Sequence, residues 1–90
     1  MSKVVVTIEN WAVVRSVGSR DFQELNPGTR LMGYAIGLAH IPSSMIVITS
    51  PVLRVDINLG IVETLNTLYR LGEASNEYKS WANQRRSAAA

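Results

Sequence analysis

The clearest alternation of hydrophobic and polar positions lies within residues 45–72, where turn-forming residues interrupt it at short intervals. Over residues 52–57, one face of an extended chain carries Leu53, Val55 and Ile57. A period of two is typical of a β-strand, and Val and Ile suit its pleated surface. We therefore predict a strand over 52–57 as part of the framework on which the rest of the chain packs.

Two turns divide the remainder of this segment. Asn58-Leu59-Gly60 is typical of a short hairpin loop, because glycine readily adopts a positive φ. The alternation continues over residues 61–65, and Asn66-Thr67 predicts a second tight turn. Residues 68–71 then form a third strand that ends at Gly72. The segment is thus predicted to be an antiparallel β-meander of three short strands.

An α-helix over residues 58–71 is the alternative. Asn58 would cap this helix and Gly72 would terminate it. Its apolar face would carry Leu59, Val62, Leu65 and Tyr69. Gly60 in the first turn and the Thr and Asn residues inside lower the helix propensity. The composition favours strands but leaves the helix open.

The same segment carries a distinctive spacing of polar and aliphatic residues. It consists of Thr49-Ser50-x-Val52 followed by Val62-x-Thr64-x-Asn66-Thr67-x-Tyr69-x-Leu71-Gly72. This spacing resembles a pattern in small uncharacterised bacterial and phage proteins, where it marks a small β-meander. The resemblance implies strands in this part of the chain and implies no activity.

Apolar segments outside this region predict further strands. Residues 4–8 and 11–15 are rich in β-branched residues and form either two strands or one strand bent at Glu9-Asn10. Residues 31–38 form another strand, in which two glycines indicate a bulge or the close approach of a second backbone. Between them, residues 17–30 are predicted to be a loop with one helical turn over 21–25.

Residues 73–87 are predicted to form a C-terminal helix. Ser75 or Asn76 would cap it, and Glu77 suits its first turn. The apolar stripe that docks it on the sheet is Tyr78, Trp81 and Ala82. The last residues, 88–90, are expected to fray.

The predicted class is mainly β (α+β): a small antiparallel β-meander or an SH3-like partial barrel with one C-terminal α-helix. Ninety residues suffice for one hydrophobic core. We therefore expect a single domain over 1–90, with a β-rich core over 1–72.

Composition limits the possible functions. The chain has no cysteine, which excludes disulfides and thiol chemistry and suits a reducing cytoplasm. Residues 1–10 lack the long apolar stretch of a signal peptide, and no run of about 18 apolar residues predicts a membrane span. Charged residues make up 18% of the chain and hydrophobic residues 47%, so apolar surface is expected to remain for a homodimer contact.

No catalytic or metal-binding spacing is present in the sequence. The seven carboxylates are scattered, and His40 is the only histidine. We therefore expect no enzyme activity, no cofactor and no metal site. The candidate binding residues are the strand and loop arginines, two aromatic residues and the histidine: Trp11, Arg15, Arg20, Arg30, His40, Arg54, Tyr69 and Arg70.

Two functions are consistent with these residues. The favoured one is a small non-enzymatic protein-interaction module that binds a protein partner or itself; a phage or mobile-element inhibitor of a host or defence protein fits this description. The alternative is a small β-barrel that binds a nucleotide or nucleic acid through arginines and an aromatic ring. That alternative requires Arg15, Arg54 and Arg70 to share an exposed face with Trp11 or Tyr69.

Overall fold

The computed structural model describes residues 3–18, 21–38 and 40–89. These residues form six strands and one helix: β1 (Val4–Val14), β2 (Arg30–Ile36), β3 (Ile46–Ile48), β4 (Arg54–Asp56), β5 (Ile61–Glu63), β6 (Thr67–Leu71) and α1 (Asn76–Ala89). The predicted class, mainly β with one C-terminal helix, is confirmed.

All six strands belong to one sheet with the order β3-β2-β1-β6-β5-β4. Adjacent strands run antiparallel, except that β1 and β6 run parallel. The sheet is therefore mixed rather than wholly antiparallel. The parallel pair places the long first strand at the centre, between the β2–β3 half and the β4–β6 half.

The two halves of the sheet meet across the short segment between β3 and β4. The Val52 N–H donates to the Thr29 carbonyl at 2.7 Å, and the Leu53 N–H donates to the Glu63 carbonyl at 2.8 Å. Thr29 precedes β2 and Glu63 ends β5, so neighbouring residues bond to opposite sides of the sheet. The sheet must therefore curl until its edges approach this segment, in agreement with the predicted partial barrel.

The predicted meander over 45–72 is confirmed as strands, and the alternative helix over 58–71 is wrong. Gly60 has a φ of 65° in the turn between β4 and β5. Such a backbone suits glycine better than the Ala or Leu that a stable helix prefers. β4 and β5 are shorter than predicted, because residues at their ends belong to turns and connections, whereas β6 is one residue longer and includes Thr67, which was predicted to lie in the turn.

The concave side of the curled sheet holds the core. Partners across the strands share a face, and one such row joins Val6, Tyr69 and Val62. These side chains are at most 7% exposed, and Val52 from the joining segment closes the row at 1%. The hydrophobic cluster explains why the chain curls, since a flat sheet would leave this face in water.

A β-bulge interrupts β1 where the sequence indicated a bend. The register with β2 shifts between Glu9 and Ala12, and Asn10 has a φ of 52°. Gly33 of β2 lies opposite the bulge, where an added Cβ would lie 2.8 Å from the Glu9 carbonyl oxygen. The glycine is therefore required for the close approach of the two backbones, as its place in an apolar strand predicted.

Residues 21–29 correct the sequence prediction. The expected helical turn over 21–25 is not formed by these described residues; Phe22 makes an isolated antiparallel bridge with Val14 instead. The Gln23 N–H also donates to the Val13 carbonyl at 2.9 Å. The pairing of β1 with β6 ends at Ile8, so the C-terminal part of β1 is free of β6 on that side. Pairing with it outweighs a single helical turn, which forms few hydrogen bonds for the number of residues that it orders.

The helix α1 begins with the predicted serine cap. The Tyr78 N–H donates to Ser75 Oγ at 3.1 Å, which satisfies one of the free amides of the first turn. Tyr78 is 8% exposed, whereas Trp81 and Ala82 are only partly buried. The predicted stripe therefore docks α1, with Tyr78 as its most buried member. No helix within the described residues is long and apolar enough to cross a membrane.

Candidate functional site

The structure brings Arg54 and Arg70 to one face of the sheet, on β4 and β6, whereas Arg15 and Arg30 lie near the ends of β1 and β2. Arg15 is exposed just after β1, and Arg70 is exposed on β6. Arg30 donates from its guanidinium to the Thr49 carbonyl at 2.8 Å, which anchors the segment after β3. Arg54 forms an ion pair with Glu63 at 3.2 Å. The remaining candidate, Arg20, lies outside the described residues.

The two candidate aromatic residues are packed rather than presented to solvent. Tyr69 is 7% exposed in the core, where burial raises the pKa of its hydroxyl. Trp11 is half-buried; its ring lies 5.4 Å from that of Tyr78, and its Nε1 donates to the Gly72 carbonyl at 3.0 Å. The structure therefore does not bring these rings together with Arg54 or Arg70 as a stacking platform.

His40 lies in the exposed turn between β2 and β3. Among the described residues, no group of three or more His, Asp or Glu side chains has an arrangement that could hold a metal ion.

The convex face of the sheet is divided into a charged half and an apolar half. On β4–β6 it carries Arg54, Glu63 and Arg70. Arg54 pairs with Glu63, and Arg70 pairs with Ile61, which lies two residues before Glu63 and therefore on the same face. Lys3 Nζ donates a hydrogen bond to Glu63 Oε2 at 2.6 Å. That hydrogen bond, together with the charges of Lys3 and Arg54, holds the pKa of the Glu63 carboxyl below its usual range.

The apolar half of the convex face lies on β2 and β3. Met32 pairs with Ile48, and Tyr34 pairs with Ile46, so the four side chains share one face. Ile46 is 55% exposed and Ile48 37%. Ile36 continues the row at the end of β2 and is also exposed. Arg30 lies on the same face at the start of β2, where its guanidinium donates to the Thr49 carbonyl, so the apolar surface ends there.

A groove opens next to this apolar half, and we call it the β1–β2 groove. Its volume is about 470 Å³. Its lining combines the convex faces of β1 and β2, the segment after β1 and the start of α1: Asn10, Ala12, Val14, Phe22, Met32, Gly33, Tyr34, Ile46, Ser75 and Glu77.

The depth of the groove results from small residues. Ala12 and Gly33 place little or no side chain on its floor, and Gly33 is required for the close approach of the two backbones at the bulge. Phe22 forms one wall because its bridge to Val14 holds it beside the sheet. The Phe22 ring is fixed by an edge contact with Tyr78 at 5.4 Å. The groove is therefore preformed by the fold rather than opened by a flexible segment.

Carboxylates surround one end of the groove. Glu77 lines it directly and has no ion pair within the described part of the chain. An adjoining cleft shares Asn10 with the groove and is lined also by Glu9 and Glu73. Glu73 forms an ion pair with Lys79, whose hydrogen bond lowers the pKa of the Glu73 carboxyl. The groove thus has an apolar floor and an acidic end.

Sequence reasoning missed the groove, although one signal pointed toward it. Its lining comes from residues that are far apart in the chain, such as Ala12, Met32 and Ser75. Their spacing follows no local period, so the pattern of apolar residues does not mark them as a group. The glycines within the strand over 31–38 indicated a close backbone approach, and Gly33 does lie on the groove floor.

No family model matches this chain, and no curated protein or solved structure matches it either.

Proposed function

We propose that this chain is a small non-enzymatic protein-interaction module that binds an apolar segment of a partner protein in the β1–β2 groove. The observation that carries this proposal is the groove of about 470 Å³ with an uncharged floor, which opens onto the exposed apolar half of the convex face. Binding of a partner removes this surface from water, which lowers the free energy of the complex. Phe22, Met32 and Tyr34 supply the large side chains that contact it.

The charges at the end of the groove support a protein partner over a nucleic acid. Glu77 lies beside the apolar floor, and Glu9 and Glu73 lie in the adjoining cleft. Carboxylates repel phosphates, whereas they attract Lys or Arg side chains and direct the orientation of a bound segment. The ligand that fits is therefore a short apolar sequence with a basic residue at one end.

The cellular role that we propose follows from the chain composition. The absence of cysteine supports a reducing compartment, and we propose that the protein works in the cytoplasm. The small size of the chain fits a role as an inhibitor. In that role the groove occupies a recognition segment of a host or defence protein and blocks it by competition.

Selection from a displayed library of short random peptides tests the groove. We expect enriched peptides that combine aliphatic or aromatic residues with a Lys or Arg. Glu77→Lys should weaken the binding of these peptides by roughly tenfold, about 1.4 kcal/mol, because it replaces an attracting charge with a repelling one. Titration calorimetry with the purified chain measures the change.

The matched control is Glu24→Lys, which makes the same substitution at an exposed glutamate that does not line the groove. Its peptide affinity should equal that of the parent. Tyr34→Ala, in the wall of the groove, should weaken binding without changing the charge. Peptides that bind all three variants equally well, or a library that yields no enrichment, would show that the groove is not a peptide site.

A further inference from the structure

We propose that two copies of this chain pair through β3, in antiparallel orientation about a two-fold axis at Val47. This inference concerns the edge of the sheet and does not depend on what the groove binds. β3 is the outermost strand on its side of the sheet and pairs only with β2 among the strands that the structure describes. Its second edge is therefore available for hydrogen bonding.

The register identifies the backbone groups that point outward. The Thr49 N–H donates to the Leu31 carbonyl at 2.9 Å, and the Leu31 N–H donates to Thr49 Oγ1 at 3.0 Å, so these residues stand at a hydrogen-bonded position of the ladder. Hydrogen-bonded and non-bonded pairs alternate along an antiparallel ladder. Val47 and Gly33, two residues further along, therefore bond to each other. The N–H and C=O groups of Ile46 and Ile48 consequently point to the free edge.

A two-fold axis at Val47 uses all of these groups. Ile46 of one copy then lies opposite Ile48 of the other, and each such pair exchanges two backbone hydrogen bonds. The two pairs give four bonds between the copies, and the two Val47 residues face each other as the non-bonded pair on the axis. The edge is thus complementary to itself, as an isologous contact requires.

The side chains of the edge favour a second copy over a charged partner. Met45 and Ile46 are each 55% exposed and Ile48 37%. No charged residue lies in the segment Met45–Ile48, so a symmetric contact brings no like charges together. Edge strands are commonly protected by lysine, proline or a bulge, and β3 has only its short length. Pairing would also place Ile46 against Ile48 of the second copy on the convex face.

Sedimentation equilibrium of the full chain from low micromolar to several hundred micromolar tests the assembly. We expect a mass that approaches twice 9.9 kDa at the higher concentrations. Ile48→Lys should raise the dissociation constant by at least about tenfold, because each copy then buries a charge beside the apolar edge of the other. Ile57→Lys is the matched control, since Ile57 is 85% exposed in the turn after β4, and it should leave the mass unchanged.

Amide hydrogen exchange on the unsubstituted chain tests the pairing without any variant. The Ile46 and Ile48 amides face away from β2, so their protection should rise with protein concentration. The amides in the turn after β4 should exchange equally fast at all concentrations. A monomer mass at several hundred micromolar would overturn the proposal, and so would a dimer in which the Ile46 and Ile48 amides stay unprotected.

Discussion

At the scale of the residue, Tyr78 connects three parts of the chain. Its ring packs against Trp11 of β1 and Phe22 of the following segment, and it stacks on Trp81 of the helix at an interplanar angle of 25°. Its hydroxyl donates to the Gln23 carbonyl at 2.6 Å. Burial and the nearby Glu24 raise the pKa of this hydroxyl, which stays protonated at neutral pH and therefore remains a donor.

We expect Tyr78→Ala to be the most destabilising truncation in the helix. Removal of a buried aromatic side chain costs about 3–5 kcal/mol, whereas loss of the hydroxyl alone in Tyr78→Phe costs about 0.5–1.5 kcal/mol. Trp81→Ala should cost less than Tyr78→Ala, since Trp81 is only partly buried. Urea denaturation measures the three free energies of unfolding. Equal values for Tyr78→Ala and Trp81→Ala would contradict the central position of Tyr78.

Glu63 makes the stability depend on pH. The hydrogen bond from Lys3 lowers the folded-state pKa of its carboxyl below the unfolded value. A lowered pKa contributes stability above the unfolded pKa, and this contribution is lost as the pH falls through the folded pKa. The melting temperature of Glu63→Gln should therefore fall less than that of the parent between neutral pH and about pH 3.

Lys3→Met provides the control for this effect. It retains the carboxyl and removes the amine that bonds to it, so its acid sensitivity should lie between those of the parent and Glu63→Gln, because Arg54 still pairs with the carboxyl. Thermal melts followed by circular dichroism give the three pH profiles. Three parallel profiles would show that the Lys3 bond does not stabilise the ionised carboxyl.

At the scale of the element, the contact between β1 and β2 depends on Gly33. A methyl group in Gly33→Ala would meet the Glu9 carbonyl oxygen at 2.8 Å and the Trp11 Cα at 3.0 Å. Because both atoms belong to the backbone, the strands themselves must move apart. Such overpacking typically costs about 1–3 kcal/mol.

Gly72→Ala is the matched comparison for Gly33→Ala. The three atoms nearest to its methyl group would all belong to the carboxylate of Glu9, which lies at the end of a flexible side chain. Rotation of that side chain relieves the clash and breaks its hydrogen bond with the Glu73 N–H. We therefore expect the larger loss of unfolding free energy in urea for Gly33→Ala; the reverse order would mean that the bulge adapts more easily than the Glu9 side chain.

The elements that the sequence predicted are those with local signals. Alternation identified the strands after Pro51, Gly60 identified their turn, and Ser75 identified the start of the helix. The parallel pairing of β1 with β6 carries no such signal. It pairs Val4 with Thr67, which are far apart in the chain. The alternation of apolar and polar residues within a strand does not indicate which strand it pairs with or in which direction.

The helical turn expected over 21–25 failed for a related reason. The local composition allowed it, but the free side of β1 offers Phe22 and Gln23 a strand-like pairing that residues 21–25 alone do not reveal. The groove was missed because it depends on the same long-range pairings. Trp11 and Tyr69 were candidate binding residues, and the structure places both in packed positions.

At the scale of the whole molecule, positive charge is spread thinly. Residues 1–72 carry six basic and five acidic side chains, a balance of +1, and residues 73–90 carry three basic and two acidic ones, again +1, which together give the net +2 of the chain. Four of the basic side chains form ion pairs within the described residues: Lys3, Arg54, Lys79 and Arg85. Of the other basic side chains that the structure describes, Arg30 donates to the Thr49 carbonyl, which leaves Arg15 and Arg70 to replace the counterions of a nucleic acid.

We expect binding to generic DNA to be weak and to fade quickly with salt. Each phosphate contact contributes about −0.9 to the slope of log K against log salt, and strong binders commonly make about 6–10 contacts. Two to four contacts, with a slope of about −2 to −4, are the most that this charge distribution supports for one chain. Fluorescence anisotropy with duplex and single-stranded oligonucleotides at about 50 and 200 mM salt measures the slope.

Arg70→Gln separates weak general attraction from a specific site. Arg70 is exposed on the charged half of the convex face and has no ion pair within the described residues, whereas Lys3 and Arg54 there share Glu63. If attraction is general, the variant should lower the salt slope by about one contact and affect all oligonucleotides alike. A dimer paired through β3 carries twice as many cations. The salt slopes of the parent and the variant must therefore be compared at a protein concentration where the oligomeric state is known. Submicromolar binding that persists at the higher salt and is lost in Arg70→Gln would favour the nucleic-acid alternative over a protein partner, because so few free cations cannot produce it without a structured site.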